Sequence, residues 1–326
     1  MQISCQFAIA TIAVIFGLCS AQAAGLGQSY PNRPLRFVVP FAPGGTVDII
    51  GRIVAEKLSL HLDQSIVVDN RGGANGIIGS EIVARASPDG HTLLVVTAGF
   101  AVNPSLQRTM PYDTSRDLAP IGQLGSSFYV MVIHAGIPAN TVSEFVAWTK
   151  SRPGQVSYAS TGSGSLPHLA AELFKISASV NMAHIPYKGG GALMPDLLAG
   201  RIATFFGAMA TVAPHVRSGR LRALAVSTNK RAITAPELPT FIESGLAGYE
   251  VAGWYGLLAP GATPRAIVNH LDMKLRAMLH EADSKERFVK HGMEVEHKSA
   301  DAFAALIRSE IAKWQKVVRT AGIRPE

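Results

Sequence analysis

Residues 35–48 of the chain read LRFVVPFAPGGTVD, and this stretch decides the fold. Residues 35–39 form a short apolar run that ends at turn residues, which is typical of a buried strand. The turn at residues 43–46 then opens a helix. The apolar residues after the turn recur at helical spacing on one face, namely Val47, Ile50, Val54 and Leu58. A strand that passes through a glycine-rich turn into an amphipathic helix indicates a parallel sheet covered by helices.

The same alternation continues on either side of this stretch. Strands are predicted at residues 66–68 and 92–96, with a helix over residues 75–85 between them. A second set begins near Tyr129, with strands at 156–159, 202–206 and 223–226 and helices at 142–150 and 165–176. The last strand, 254–258, and the helices at 266–279 and 302–318 have no sheet of their own and could return to the first. We predict an α/β protein of two lobes, with residues 24–125 plus 250–326 in lobe 1 and residues 126–249 in lobe 2.

The first 30 residues indicate export. An eleven-residue, mostly apolar run from Ala8 to Leu18 is followed by Ala21-Gln22-Ala23, the small-x-small pattern that signal peptidase cleaves. Such a run is too short to cross a bilayer core of about 30 Å. Both cysteines of the chain, Cys5 and Cys19, lie in this segment. We predict a signal peptide over residues 1–23, cleaved near Ala23, and a periplasmic mature protein without disulfides.

Composition and motifs exclude several classes of protein. The 326 residues carry 30 Lys and Arg against 23 Asp and Glu, a net charge of +7, and 48% are hydrophobic. The chain can therefore bury a core, and its basic balance favours small anionic ligands over nucleic acid, because no basic block is interleaved with aromatic residues. An exported serine hydrolase is disfavoured, since Gly-x-Ser-x-Gly is absent and Ser227-Thr-Asn-Lys230 follows a strand instead of opening a helix. No metal motif is present, so we expect no catalytic residue, metal or cofactor.

Candidate ligand contacts lie in the loops that follow the predicted strands. Two α/β lobes bring the carboxyl ends of their strands to a shared crevice, where such sheets bind ligands. These loops comprise residues 40–48, 97–100, 160–165, 187–191 and 207–209. Three are glycine-rich and two run directly into a helix, whose N-terminus offers unpaired donors to an anion. Each loop taken alone could equally be a tight strand-to-helix turn.

Motifs along the whole mature chain resemble those of one receptor family. They are YPNRPLRFVVPFAPGGTVD at residues 30–48, VDNRGG at 68–73, PDG at 88–90, NP at 103–104, HIPYKGG at 184–190 and LRALA at 221–225. In this order and spacing they resemble the substrate-binding receptors of tripartite tricarboxylate transporters, the Bug family. The resemblance implies a periplasmic-binding-protein type II-like fold, with a ligand cleft between two lobes and two crossing hinge strands. These are expected near residues 123–128 and 249–254.

The resemblance also implies a function. A monomeric receptor would close on a small-molecule carboxylate and deliver it to an inner-membrane tripartite tricarboxylate permease, without binding nucleic acid. A ligand-sensing subunit for a membrane signalling kinase would have the same binding chemistry, so that alternative stays open. Ligand contacts carried over from the family fall on Phe41, Gly45, Thr46 and Asp48 and on residues 163–165 with His168. Together with the loops, the predicted ligand-binding set is Phe41, Gly44, Gly45, Thr46, Asp48, Thr97, Ala98, Gly99, Phe100, Ser163, Gly164, Ser165, His168, Lys188, Gly207 and Ala208.

Two departures from the family pattern bear on the ligand. Gly207 and Ala208 stand where many relatives have Asp and Asn, and Gly99-Phe100 stands where relatives often have Thr-His. A ligand ammonium or hydroxyl buried without its partner costs free energy, so amino acids and citrate-like acids are disfavoured. We therefore expect a dicarboxylate with an aromatic or apolar body.

Four of these side chains also have a structural interpretation. Asp48 lies in the first turn of a helix, where a carboxylate offsets the macrodipole. His168 could complete a helix cap at Ser165 instead of contacting ligand. Lys188 could pair with a carboxylate or remain solvated. Phe100 could stack on a ligand ring or belong to the core.

Overall fold

The structure is a computed structural model, and it describes residues 30–187 and 190–325. The predicted signal peptide and Lys188 therefore lie outside the described residues. The strands are β1 (Leu35–Val39), β2 (Ile66–Asn70), β3 (Thr92–Thr97), β4 (Leu118–His134), β5 (Ser157–Ser160), β6 (Ala183–Pro186), β7 (Thr204–Ala208), β8 (Leu221–Val226), β9 (Ala252–Pro260) and β10 (Glu294–Ser299).

Helices cover these strands. They are α1 (Thr46–Leu62), α2 (Ile77–Ala84), α3 (Gly99–Leu106), α4 (Val142–Lys150), α5 (Leu166–Ala178), α6 (Gly190–Leu198), α7 (Met209–Arg217), α8 (Arg265–His280), α9 (Ala282–Lys290) and α10 (Ala300–Thr320). Within the part of the chain that the structure describes, no helix has both the length and the apolar character needed to cross a membrane.

Two parallel strand groups form the two lobes, as the alternation predicts. In lobe 1, β1 pairs in parallel with β2 and β3, while in lobe 2 β5 pairs in parallel with β6 and β7. The continuous strand order is β2-β1-β3-β9-β4-β7-β5-β6, and β8 and β10 also pair with β4. The predicted two-lobed, type II-like α/β fold is confirmed.

The 17-residue strand β4 connects the lobes. Its residues 118–128 pair antiparallel with β9 in lobe 1, and its residues 129–133 pair with β7 in lobe 2. The exchange of partners occurs where residues 126–128 oppose residues 252–254 of β9. The chain thus crosses between the lobes where hinge strands are predicted; their action as hinges stays a prediction.

Helix α10 also contributes to both lobes. Phe303 and Ile307, near its start, pack with Leu94 and Trp254 of lobe 1. Trp314, Val317 and Val318, near its end, belong to the core cluster of lobe 2. The C-terminal segment is therefore shared between the two cores, and the predicted division of the chain into lobes stays a prediction.

Candidate functional site

A cavity of about 380 Å³ lies between the lobes, beside the crossing strands. The predicted site residues that line it are Phe41, Gly45, Thr46, Thr97, Ala98, Gly99, Gly164 and Ser165. Among the described residues around this cavity, none that lines it carries a charged side chain. An anion bound here would be recognised by backbone and hydroxyl dipoles instead of by a salt bridge.

The lobe 1 turn (residues 40–48) leaves the N-terminus of α1 open toward the cavity. Its N-cap residue Gly45 is extended, with φ −77° and ψ 166°, and no side chain caps the helix. Gly45, Thr46 and Val47 all line the cavity. The first N–H groups of a helix have no acceptor within the helix. This end of α1 therefore offers unpaired donors and a partial positive charge to a ligand.

The carboxylate of Asp48 stabilises the lobe 1 turn through hydrogen bonds. Its Oδ2 accepts hydrogen bonds from the Gly44 N–H at 2.9 Å and from Arg52 Nε at 3.0 Å, and its Oδ1 accepts one from Asn70 Nδ2 at 2.9 Å. Burial alone would raise the pKa of this carboxyl, but the hydrogen bonds from Arg52, Gly44 and Asn70 outweigh it and hold the pKa below its ordinary value. Asp48 is only 3% exposed and does not line the cavity. It fixes the turn that presents the donors.

The lobe 2 turn (residues 160–168) satisfies its own donors. Ser165 Oγ accepts from the His168 N–H at 3.4 Å and donates to the Gly162 carbonyl at 2.7 Å. The Gly164 N–H donates to His168 Nδ1 at 3.0 Å. Pro167, in the first turn of α5, has no N–H to offer. This helix end therefore has little left for an anion.

His168 belongs to a buried cluster of titratable groups. Its ring stacks on His184 with centroids 3.9 Å apart, and the ring of Tyr158 lies nearly parallel to both, 5.0 Å from His184 and 6.3 Å from His168. Glu172 accepts hydrogen bonds from Tyr158 and, at 2.8 Å, from Lys175 Nζ. Burial, and secondarily the neighbouring His184, lowers the pKa of His168 to about 4. The imidazole is neutral at neutral pH, as an Nδ1 that accepts the Gly164 N–H requires.

Comparison with known proteins identifies the family. The profile of the tripartite tricarboxylate transporter family receptor matches residues 50–323. The chain belongs to this receptor family. It is 34% identical over 318 residues to the protein BugT of Bordetella pertussis, which covers 97% of this chain and 98% of BugT. The resemblance to the Bug receptors is therefore confirmed.

Solved structures of similar receptors agree. Rpa4515 of R. palustris with adipate is 34% identical and aligns with a TM-score of 0.76, over 91% of this chain and all of that one. MatC (Rpa3494) from Rhodopseudomonas palustris with bound malate is 29% identical, with a TM-score of 0.72 over 89% of this chain and all of that one. The receptor is thus a solute-binding protein of a periplasmic family and not an enzyme.

A buried serine–histidine pair in the receptor has a structural role. Ser160 Oγ lies 2.7 Å from His184 Nε2. It also donates to the Gly162 carbonyl at 3.0 Å and accepts from the Gly162 N–H at 3.2 Å. Ser160 is fully buried, so no substrate reaches its oxygen. The Ser160–His184 hydrogen bond links the start of the lobe 2 turn to β6.

Several predicted site residues of the receptor do not line the main cavity. Gly44 donates to Asp48, and Ser163 lines a neighbouring cavity of about 320 Å³. Gly207 is buried in β7, where a Cβ would meet Phe205 and Val212 at 2.5 and 2.7 Å, and Ala208 is exposed outside the cavity. Lys188 lies outside the described residues.

Phe100 is a correction to the sequence analysis. Residues 99 and 100 do not form a loop; they begin α3. The helical turn directs the ring of Phe100 into the core of lobe 1, where it stacks on Tyr112 at 6.4 Å and is 4% exposed. Phe100 is therefore not available as a ring platform in the cleft.

The sequence analysis also missed residues that line the receptor's cavity. They are Val47, Asn75, Ser127, Tyr129, Thr161, Leu166, Pro167, Gly253, Trp254 and Tyr255. Three hydroxyls among them, on Ser127, Tyr129 and Tyr255, lie on the crossing strands. Burial raises the pKa of Tyr129, and the nearby Tyr255 adds to this effect, so its phenol remains a neutral donor. The sequence signal that could have identified these residues is the presence of polar side chains inside the apolar runs 126–133 and 252–259.

Proposed function

We propose that this receptor binds a small dicarboxylate with an apolar body and delivers it to a tripartite tricarboxylate permease. The observation that carries the proposal is the uncapped N-terminus of α1, which opens on an interlobe cavity without charged lining side chains among the described residues. The adipate found with Rpa4515 and the malate bound to MatC support a dicarboxylate as the ligand class.

One carboxylate binds at the start of α1. The N–H groups of Thr46 and Val47 donate to it, and the helix dipole adds to the attraction. The hydroxyl of Thr161 approaches from lobe 2, whereas that of Ser165 already donates to the Gly162 carbonyl. Because each lobe contributes contacts, binding favours the closed arrangement of the lobes about the crossing strands.

The ligand body lies against apolar walls. Phe41, Val47, Leu166 and Trp254 line the cavity, whereas no acidic side chain among the described lining residues is placed to pair with an ammonium group. A buried ammonium without its partner is costly. Phe41, and not Phe100, is the phenylalanine available to contact an apolar or aromatic body.

A ligand screen tests this proposal. Thermal shift and calorimetry should show binding of adipate or terephthalate that is tighter than binding of aspartate, glutamate or citrate. The dimethyl ester of the tightest ligand should not bind, because it carries no anionic end for α1. Stabilisation by aspartate or citrate alone, or equal binding of the ester, would contradict the proposal.

Delivery and closure need separate measurements. Small-angle scattering should show a smaller radius of gyration for the monomeric receptor at saturating ligand. Spheroplasts stripped of periplasmic proteins should take up labelled ligand only when purified receptor is added back. Uptake that does not respond to the receptor would favour a sensing role over delivery.

A further inference from the structure

The main cavity continues into a second one. The second cavity, of about 320 Å³, shares Asn75, Thr161, Gly164 and Ser165 with the first. Its remaining wall includes Arg324, which follows α10. Across the described residues that line the two cavities, Arg324 is the one with a charged side chain. The combined space therefore has a dipolar end at α1 and a cationic end at Arg324.

The two residues that flank Arg324 contact different lobes. Ile323 packs against the core of lobe 2, and its N–H donates to the Val318 carbonyl at 3.0 Å. The carbonyl of Pro325 accepts a hydrogen bond from Arg108 Nε, in the segment after α3 of lobe 1, at 3.5 Å. Arg324 is thus held across the interlobe joint. Among the described residues, no carboxylate pairs with its guanidinium.

The chemistry of this position fits a second carboxylate. A guanidinium presents a planar fork of donors that matches a carboxylate in a bidentate arrangement. The side-chain amide of Gln107 borders the same cavity and adds a neutral donor, while the amide of Asn103 is engaged in hydrogen bonds with Asn75. A ligand with one carboxylate at α1 would reach this cluster only through a chain long enough to pass Gly164.

We infer that Arg324 is a specificity-determining residue that binds the distal carboxylate of an elongated dicarboxylate. This inference rests on the proposed function and adds a length requirement to it. Because the Arg324 side chain is exposed, its attraction is screened by salt and is modest in size. It selects among diacids that the main cleft already accepts.

Calorimetry on a chain-length series tests the inference. The ligands are succinate, adipate, suberate and the monoacid hexanoate, measured at low and high salt with the full chain. Arg324→Gln should weaken adipate and suberate about three- to fivefold, reduce the salt dependence of their binding, and leave hexanoate unchanged. Arg324→Lys, which keeps the charge without the fork, should fall between. Arg319→Gln, an exposed change on α10 away from both cavities, is the matched control.

Each outcome of these measurements either supports or overturns the role of Arg324. Unchanged adipate and suberate affinity in Arg324→Gln overturns the role of Arg324 but leaves the proposed function intact, as does an equal loss in the Arg319→Gln control. If the unmodified receptor binds no diacid of the series, this inference fails, and if it does not bind terephthalate either, the proposed function fails with it. A melting temperature equal to that of the unmodified receptor confirms that each variant is folded.

Discussion

The lobe 1 and lobe 2 turns have similar sequences, APGGTVD and TGSGSLPH, but treat their backbone donors in opposite ways. In lobe 1 the N-cap is Gly45, which has no side chain to accept a hydrogen bond, and the carboxylate of Asp48 accepts the Gly44 N–H. In lobe 2 the N-cap is Ser165, which caps the helix, and His168 accepts the Gly164 N–H. A glycine-rich turn before a helix is therefore not enough to make an anion site. The acceptors within the turn decide whether any donor remains for a ligand.

The largest expected effect comes from removing the support of the lobe 1 turn. Asp48→Ala leaves the Gly44 N–H and Asn70 Nδ2 without their buried acceptor, so we expect a loss of about 3 kcal/mol in the free energy of unfolding. Denaturant titration measures it. Arg52→Ala, which removes an exposed partner of the same carboxylate, should cost less than about 1 kcal/mol. A stability of Asp48→Ala within experimental error of the unmodified protein would contradict the assigned role.

The next effect is the pH dependence of the lobe 2 turn. The pKa of His168 falls from 6.5 to about 4 on folding, so below pH 6.5 the unfolded chain binds a proton that the folded one does not. Stability is fully present above pH 6.5 and declines as pH falls toward 4, by on the order of 2 to 3 kcal/mol. His184, whose pKa burial also lowers, acts in the same direction, while Glu172 opposes it.

A non-titrating variant isolates the contribution of His168. His168→Asn keeps an oxygen that can accept the Gly164 N–H but cannot gain a proton, so the decline in stability between pH 6.5 and 4 should become shallower. Urea unfolding across this range measures the slope for both proteins. An unchanged slope would assign the pH dependence to other groups.

Ligand affinity should depend on the donors of lobe 1. Thr46→Pro removes one N–H from the first helical position, where proline fits, and the extended Gly45 before it suits proline as well. We expect a 10- to 100-fold weaker binding of adipate, from a lost hydrogen bond of about 1.5 to 3 kcal/mol to a charged group. Thr46→Val keeps the N–H and removes the hydroxyl. Calorimetry in which the two variants lose affinity equally would point to the side chain instead.

The smallest effects come from exchanging the caps of the two helices. Gly45→Ser gives α1 the cap that α5 has, and a Cβ at Gly45 meets only the Ala42 carbonyl at 3.7 Å. We expect a gain of a few tenths of a kcal/mol in stability with a severalfold loss of carboxylate affinity, because the serine competes for the same N–H groups. Ser165→Gly should lower stability by a similar amount. Thermal melts measure the stability changes, and calorimetry measures the carboxylate affinity. Tighter carboxylate binding in Gly45→Ser would contradict the proposal that the uncapped end of α1 binds the ligand.

Local sequence predicted the parts of the fold that depend on neighbours in the chain. The run 35–39, the turn and the helix with Val47 and Leu58 on one face are found at β1 and α1, because periodicity and turn residues act locally. The short edge strand β6 (AHIP) and the charged strand β10 (EVEHKS) were missed, since neither is an apolar run of the kind from which strands are predicted. Phe100 was misplaced because a helix, not a loop, follows Thr97.

The candidate site divides in the same way. The glycine-rich turns are recognisable in the sequence, so Gly45, Thr46 and Gly164, which line the cavity, could be predicted as candidates. Tyr129 and Tyr255 were not, because their placement depends on the antiparallel pairing of β4 with β9. The different use of the two turns was also beyond sequence, since the acceptors of Asp48 and His168 face their donors only after folding.

The shared helix α10 has a consequence for the order of folding. Its first turns complete the core of lobe 1 and its last turns complete the core of lobe 2, so neither lobe has its full interior until the end of the chain is available. Long-range contacts of this kind slow folding, because loop closure precedes any gain from packing. A chain that completes both halves with its last helix remains incompletely packed throughout synthesis. That delay fits the predicted export of the chain, because an exported polypeptide crosses the membrane before it folds.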